Sequence, residues 1–373
     1  MPGLTLCGRD SPCRGRAILT SCSALSREIW MNKEDLVPLD IALATEARGM
    51  FSRLLTDEDK SKIANLRSAD QLVILLRHTE SWGAAVRSLP PSGVTAELFS
   101  LEMERHLYRE YERLYRFAQE SAREFLVFMA LRAICRTILA ALRRLVSPNT
   151  KDYTDPLPPF FHSLRGYHIK RISEVKSFEA LSEVLGDSLY GQTLSKLEKD
   201  TVTGLPQYAD AVIALEESYY YIVNEHLLSG YAGPDKEGLV ESVSLKADLL
   251  ALSYMMRLRK FNTPIEKAME ILRPLPGTIS REDAQAILSA KDDGEVVRLV
   301  SQALHHQRLG EIERIDDRFL RGVEAEYFRG VVRGKPTLRV AYAFLMLKEM
   351  ECNMLKRVYV ALQYGFDPEV FII

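Results

Sequence analysis

The sequence is short of the features that mark most specialised chemistry. Five cysteines in 373 residues are too few for a disulfide scaffold, and a reducing compartment fits that usage. Cys135 and Cys352 lie inside apolar helical patterns and are expected to be buried thiols. No run of 18 apolar residues occurs, which argues against a transmembrane helix. Neither sign of charge dominates: 49 Lys and Arg face 51 Asp and Glu, a formal net charge of −2. No global field therefore draws the chain to nucleic acid or to an anionic membrane. Alternating strand patterns are scarce, and no Asn-Gly or Asp-Gly turn joins two such runs.

Catalytic motifs are missing as well. No G-x-S-x-G elbow is present, and no Gly-rich dinucleotide turn follows a strand. The nearest approach to a phosphate loop is "GVVRGKPT" (330–337). A P-loop needs four residues between its glycines and a hydroxyl after the lysine. Here Gly330 and Gly334 have three between them, and Pro336 follows Lys335, so a loop between two helices is expected. His305 and His306 are adjacent, and His162 and His168 flank a glycine without ligand-spaced partners. Neither pair has the spacing of a zinc site. Glu102/Glu104, Glu216/Glu217 and Asp316/Asp317 sit near expected helix starts, where the macrodipole favours negative charge. The aromatic run "SYYYIV" (218–223) lacks a basic groove around it and reads as core or interface, not as a base-stacking platform. No catalytic residue, cofactor or metal is expected.

What is present is helical periodicity. From Ile41 onward apolar residues recur at i, i+3, i+4 and i+7, as in "ADQLVILLRH" and "FEALSEVLGDSL". Breaks are expected at 89–95, 147–161, 230–238, 273–283 and 333–337, with Ser280 and Asp283 forming a capping box. The first 30 residues are different, rich in Ser, Cys, Gly and Arg, and lack the apolar core of a secretory signal. They are expected to be a disordered extension, with Met31 reading as a normal protein start.

Three kinds of segment then recur in the same order. A basic amphipathic helix appears at 45–56, 129–145 and 246–262. A short helix with an acidic start appears at 68–79, 177–188 and 293–304. A longer acidic and aromatic helix appears at 101–118, 214–229 and 315–330. The period is about 100–116 residues, longer than the units of common solenoids. The expected organisation is repeat 1 over 31–125, repeat 2 over 126–243, and repeat 3 with an extra terminal helix over 244–373. That extra helix, "LKEMECNMLKRVYVALQYGF" (347–366), has a stripe of Met350, Met354, Leu355, Val358 and Leu362. Its Glu349, Glu351 and Cys352 could be carboxylates beside a reactive thiol, but the repeat order makes them part of a packing helix.

Three stretches resemble the C subunit of archaeal and bacterial V/A-type ATPases (ATP synthases), related to the d subunit of the vacuolar ATPase. They are "ATEARGMFSRLLTDEDKSKIANLRSADQLVILLRHTE" (44–80), "LLALSYMMRLRKFNTPIEKAMEILRPLPGTISREDAQAILSAKDDGEVV" (249–297) and the terminal stretch. The last is similar to an E-x-x-N-[LI]-[KR] motif, with Met354 where that motif has Asn. The resemblance implies an all-α protein of three similar helical domains forming a pseudo-threefold funnel. It implies a non-catalytic rotor adaptor, peripheral to the membrane on the cytoplasmic side. Its partners would be the central-shaft subunits and the membrane rotor ring, with the stator membrane subunit as a further candidate. Arg48, Arg53, Arg257, Arg259, Glu351 and Lys356 are the candidate partner contacts. The rival reading is a free-standing helical scaffold that binds a protein partner.

Overall fold

The computed structural model describes residues 37–147, 169–272, 275–304 and 314–372. The expectations for 1–30, Met31, the Pro-rich stretch 156–161 and the four histidines His162, His168, His305 and His306 lie outside them. The chain divides into Met1–Val37 and Pro38–Ile373. The second unit is all-α, with no strand among the described residues and one isolated bridge between Lys199 and Pro206.

Five helices open the unit: α1 (Val37–Phe51), α2 (Asp57–Ala64), α3 (Ala69–Leu76), α4 (Gly83–Val86) and α5 (Ala96–Phe117). Next come α6 (Glu120–Leu126), α7 (Phe128–Val146), α8 (Ile169–Glu174), α9 (Phe178–Leu185), α10 (Leu189–Ser195) and α11 (Tyr208–Tyr221). The last set is α12 (Gly233–Lys260), α13 (Ile265–Ile271), α14 (Arg281–Ser289), α15 (Asp293–Ala303), α16 (Asp317–Arg333) and α17 (Leu338–Gln363). Side-chain oxygens hold many of the starts. Ser68, Ser177 and Asp292, which precede the three short acidic helices, each accept a hydrogen bond from the backbone N–H three residues on. The expected capping box between Ser280 and Asp283 is present.

One expected break is largely helical instead. α12 starts at Gly233, with Pro234 in its first turn, where a missing N–H costs nothing because that group has no helical acceptor. The "GYAGPDKEG" signal is thus a helix start, and the basic segment at 246–262 is the second half of a 28-residue helix. The break expected at 333–337 is present as the connection 334–337 between α16 and α17, with Gly330 inside α16.

Burial falls into two clusters. The large one gathers residues from α1 through the start of α12, and from α16 and α17. The small one gathers the rest of α12 with α13, α14, α15 and the start of α16. α17 is the central element of the first, packing against α16, α5, α12 and α3. Glu120–Val146 is long and apolar enough, by length and composition, to cross a membrane. Most of it is buried inside the unit, however, and Arg132 and Arg136 within it reach a carboxylate of α17. It is a core helix.

Candidate functional site

The polar residues of α17 form the densest cluster of buried charge in the described chain. A helix that is apolar nearly all round must be covered on every side, and α17 carries Lys348, Glu349 and Glu351 inside with it. A charge without a partner in such a place is strongly destabilising, so each is matched by a different part of the fold.

Glu351 faces the first helices. Its Oε1 accepts from the backbone N–H of Leu55 at 2.7 Å, and its Oε2 from Ser81 Oγ at 3.1 Å and Trp82 Nε1 at 3.0 Å. Lys348 turns to the same loop. Its ammonium donates to Ser81 O at 2.9 Å and Ser81 Oγ at 2.8 Å, and lies 3.8 Å from the centre of the Trp82 ring, a cation–π contact. Burial draws its pKa down to about 8, against the raising influence of Glu351. His106 of α5 donates from Nε2 to Ser81 O at 2.8 Å. Burial first, then the nearby Lys348 charge, lowers its pKa to about 3, so the imidazole is neutral at physiological pH.

Glu349 faces the opposite way, toward α7. Arg136 bonds its Oε1, and Arg132 Nε lies 3.1 Å from the same oxygen. Burial alone would raise this carboxyl's pKa, but the Arg132, Arg136 and Lys246 charges outweigh it and hold the group at about 2. Beside Arg132, the Tyr219 ring stacks at 5.3 Å from the guanidinium carbon.

This arrangement has little capacity for reaction. Cys352 is buried, and burial pushes its thiol up to about 12, so it is not a thiolate nucleophile at neutral pH. Cys135 is buried and its thiol is raised for the same reason. Among the described residues no group of three His, Cys, Asp or Glu side chains could hold a metal ion.

The six candidate contact residues are scattered. Arg48 Nε donates to Val332 O at 2.9 Å and its Nη2 to Gly334 O, tying α1 to the end of α16. Arg259 Nη1 donates to Ile287 O, Leu288 O and Ala290 O at 2.9–3.0 Å, closing the C-terminus of α14. Lys356 pairs with Glu104 at 2.6 Å, and Glu351 is buried as above. Arg53 is half-buried, and its charge acts on Lys348. Arg257 is the most exposed, 3.5 Å from Asp317. Glu349 was singled out from sequence but set aside as part of a packing helix; Lys348, Arg132 and Arg136 were not singled out. The available signal was a pair of arginines four apart in the apolar run of α7, facing charges in the apolar run of α17.

The model of the ATP synthase (C/AC39) subunit family matches residues 43–371. A curated relative, the C subunit of the A-type ATP synthase of Pyrococcus abyssi (strain GE5 / Orsay), is 22% identical over 337 residues, covering 86% of each chain. The match runs from within α1 to beyond α17, so it takes in most of the chain: the chain belongs to the ATP synthase (C/AC39) subunit family.

Proposed function

We propose that the chain is a non-catalytic central-stalk subunit of a V/A-type rotary ATPase, passing torque between the rotating shaft and the membrane rotor ring. The observation that carries this reading is the family match along 43–371, together with a relative that is itself an ATP synthase subunit. The helix order supports it: a long helix, three short ones and a second long one recur through α1–α5, α7–α11 and α12–α16, as three similar domains in a pseudo-threefold funnel would require. The mechanics support it too. A coupler has to be stiff and needs no reactive side chain, and α17 joins the early helices, α7 and α16 through buried bonds and close packing.

In this reading the subunit sits at the cytoplasmic face of the membrane complex without spanning the bilayer. Arg257 is the better placed of the six contact candidates because its side chain is the most exposed even while paired with Asp317, and half-buried Arg53 comes next. Beside Arg257, at the end of α12, Phe261 is 77% exposed, an aromatic of the kind that anchors interfaces. The test is a pull-down of the full chain from detergent-solubilised membranes of its source, read by mass spectrometry. Shaft and ring subunits are the expected catch. A stable monomer with affinity for neither overturns the reading and returns the chain to the scaffold class.

A further inference from the structure

Both α12 and α16 pass from one hydrophobic cluster to the other. On α12, Leu239, Val243 and Ala247 belong to the large cluster, and Leu249, Leu252 and Met255 to the small one, with Leu245 already facing the latter. On α16 the order is reversed: Leu320 lies in the small cluster, and Ala325, Phe328 and Val332 in the large one. The boundary therefore falls near Ala247 on one helix and near Glu324 on the other. Beyond it, the close packing of α13, α14 and α15 is with one another and with α12.

Around this boundary α12 and α16 meet through polar groups. Ser242 Oγ lies 3.2 Å from the hydroxyl of Tyr327, a residue that packs against both clusters. Lys246 pairs with Glu324, and Ser253 Oγ donates to Asp317 at 2.9 Å. Interlocked apolar side chains cannot slide without opening voids. Hydrogen bonds between polar side chains can lengthen or take in a water at far smaller cost. A polar seam between two separate cores is thus a place where two bodies can move.

Two further observations fit such movement. Gly322 stands inside α16, two residues before Glu324, and glycine in a helix interior lowers its stability and favours bending. A Cβ at Gly322 would meet nothing within 4 Å, so packing does not require the glycine. The second observation is a gap. The loop before α14 touches the rest of the unit through Leu275, which packs on the large cluster, and through Pro276 O, which accepts from Ser244 Oγ at 3.3 Å. Beside that contact lies a cavity of about 570 Å³, lined by Leu275 and Pro276 together with Gln192 and Thr193 of α10 and Ser218 and Tyr221 of α11.

We propose that α13–α15, with the C-terminal part of α12 and the start of α16, form a hinged module. It turns about Gly322 and the stretch Ala247–Leu249, and the space beside α10 and α11 widens or narrows as it does. Hinges of this kind are a few positions that absorb the change while the bodies on either side keep their shape. One part of the chain adjusts, and the large cluster stays fixed.

Double electron–electron resonance on the spin-labelled full chain provides the test. The background carries Cys7→Ser, Cys13→Ser and Cys22→Ser, and keeps the buried Cys135 and Cys352. Labels at Lys196→Cys on α10 and Glu270→Cys on α13 span the boundary. Two control pairs stay on one side of it: Arg109→Cys with Lys196→Cys, and Glu270→Cys with Arg298→Cys. All four positions are exposed. The expected result is a distance distribution at least about twice as broad for the spanning pair as for either control. Gly322→Ala narrows the spanning pair toward the controls while the circular dichroism stays unchanged, since the added methyl has open space. A spanning pair as narrow as the controls overturns the proposal. So does a module control as broad as the spanning pair, which would mean local unfolding in place of a hinge. Breadth that survives Gly322→Ala undiminished overturns the hinge at that residue.

Discussion

The two hydrophobic clusters are closed by opposite means. The large one is joined by charges on α17, each neutralised by a side chain or backbone group from a distant part of the chain. The small one is closed by Asp248, a carboxylate on α12 that accepts from the backbone of the loop before α14. Its oxygens take the N–H of Thr278 at 2.9 and 3.0 Å, the Thr278 hydroxyl at 2.7 Å and the N–H of Ile279 at 3.1 Å. The approach is so close that a Cβ on Gly277 would sit 1.9 Å from Asp248 Oδ1; only glycine fits. The difference is one of range. Asp248 reaches about thirty residues along the chain, within one cycle of helices, whereas Glu351 reaches back 296 residues to Leu55. A local clasp holds one part of the fold, and long-range charge pairs hold the whole.

The severest way to break this contrast is to remove α17. A chain ending after Pro336 should lose cooperative unfolding of the large cluster, seen as a vanished near-ultraviolet circular dichroism signal. Next in size is Glu349→Gln, which leaves the part-buried Arg132 and Arg136 without that buried carboxylate. Removing one partner of a buried pair costs about 3–5 kcal/mol, to be read as a lowered urea midpoint. The large cluster should also be the acid-sensitive one. His106 has a folded pKa of about 3, below its ordinary 6.5, so the unfolded chain binds the proton first. Stability is then fully present above pH 6.5 and declines as pH falls toward about 3. Glu349 adds a second decline between 4.5 and about 2. His106→Gln should flatten the upper part of the profile, and an unchanged slope between pH 6.5 and 4.5 would contradict the assignment.

Two smaller effects belong to the other cluster. Asp248→Ala orphans the backbone donors of Thr278 and Ile279 and should cost about 2–3 kcal/mol. Amide exchange should quicken in α13, α14 and α15 while α5 and α17 keep their protection. That restriction is the point of the experiment: spread of the effect to α5 would mean that the clusters are one cooperative unit. Smallest is Ser280→Ala, which removes half of a capping box for about 1 kcal/mol, to be read as a small fall in the urea midpoint.

Much of the fold was legible because it rests on local signals. Periodicity marks the helices, the S-R-E-D stretch marks the start of α14, and apolar surroundings mark Cys135 and Cys352 as interior. One helix boundary was misread because Gly and Pro punctuate by position: Pro234 ends nothing when it occupies a first turn. The charged interior of α17 was illegible for a different reason. Glu351 and Lys356 show a helix-surface spacing, and nothing local distinguishes a carboxylate that faces water from one that faces Trp82. That information resides in residues hundreds of positions away.

The position of α17 after all the helices it packs against has a consequence for biogenesis. During synthesis the earlier helices leave the ribosome before the helix that covers them exists, so their apolar faces wait uncovered. Leu55 and Ser81 cannot meet Glu351 until 296 and 270 further residues have been added. The interior of the large cluster is therefore complete only once α17 has emerged. A prematurely terminated copy, exposing what α17 should cover, would be recognisable to quality control as unfinished before it could enter any assembly.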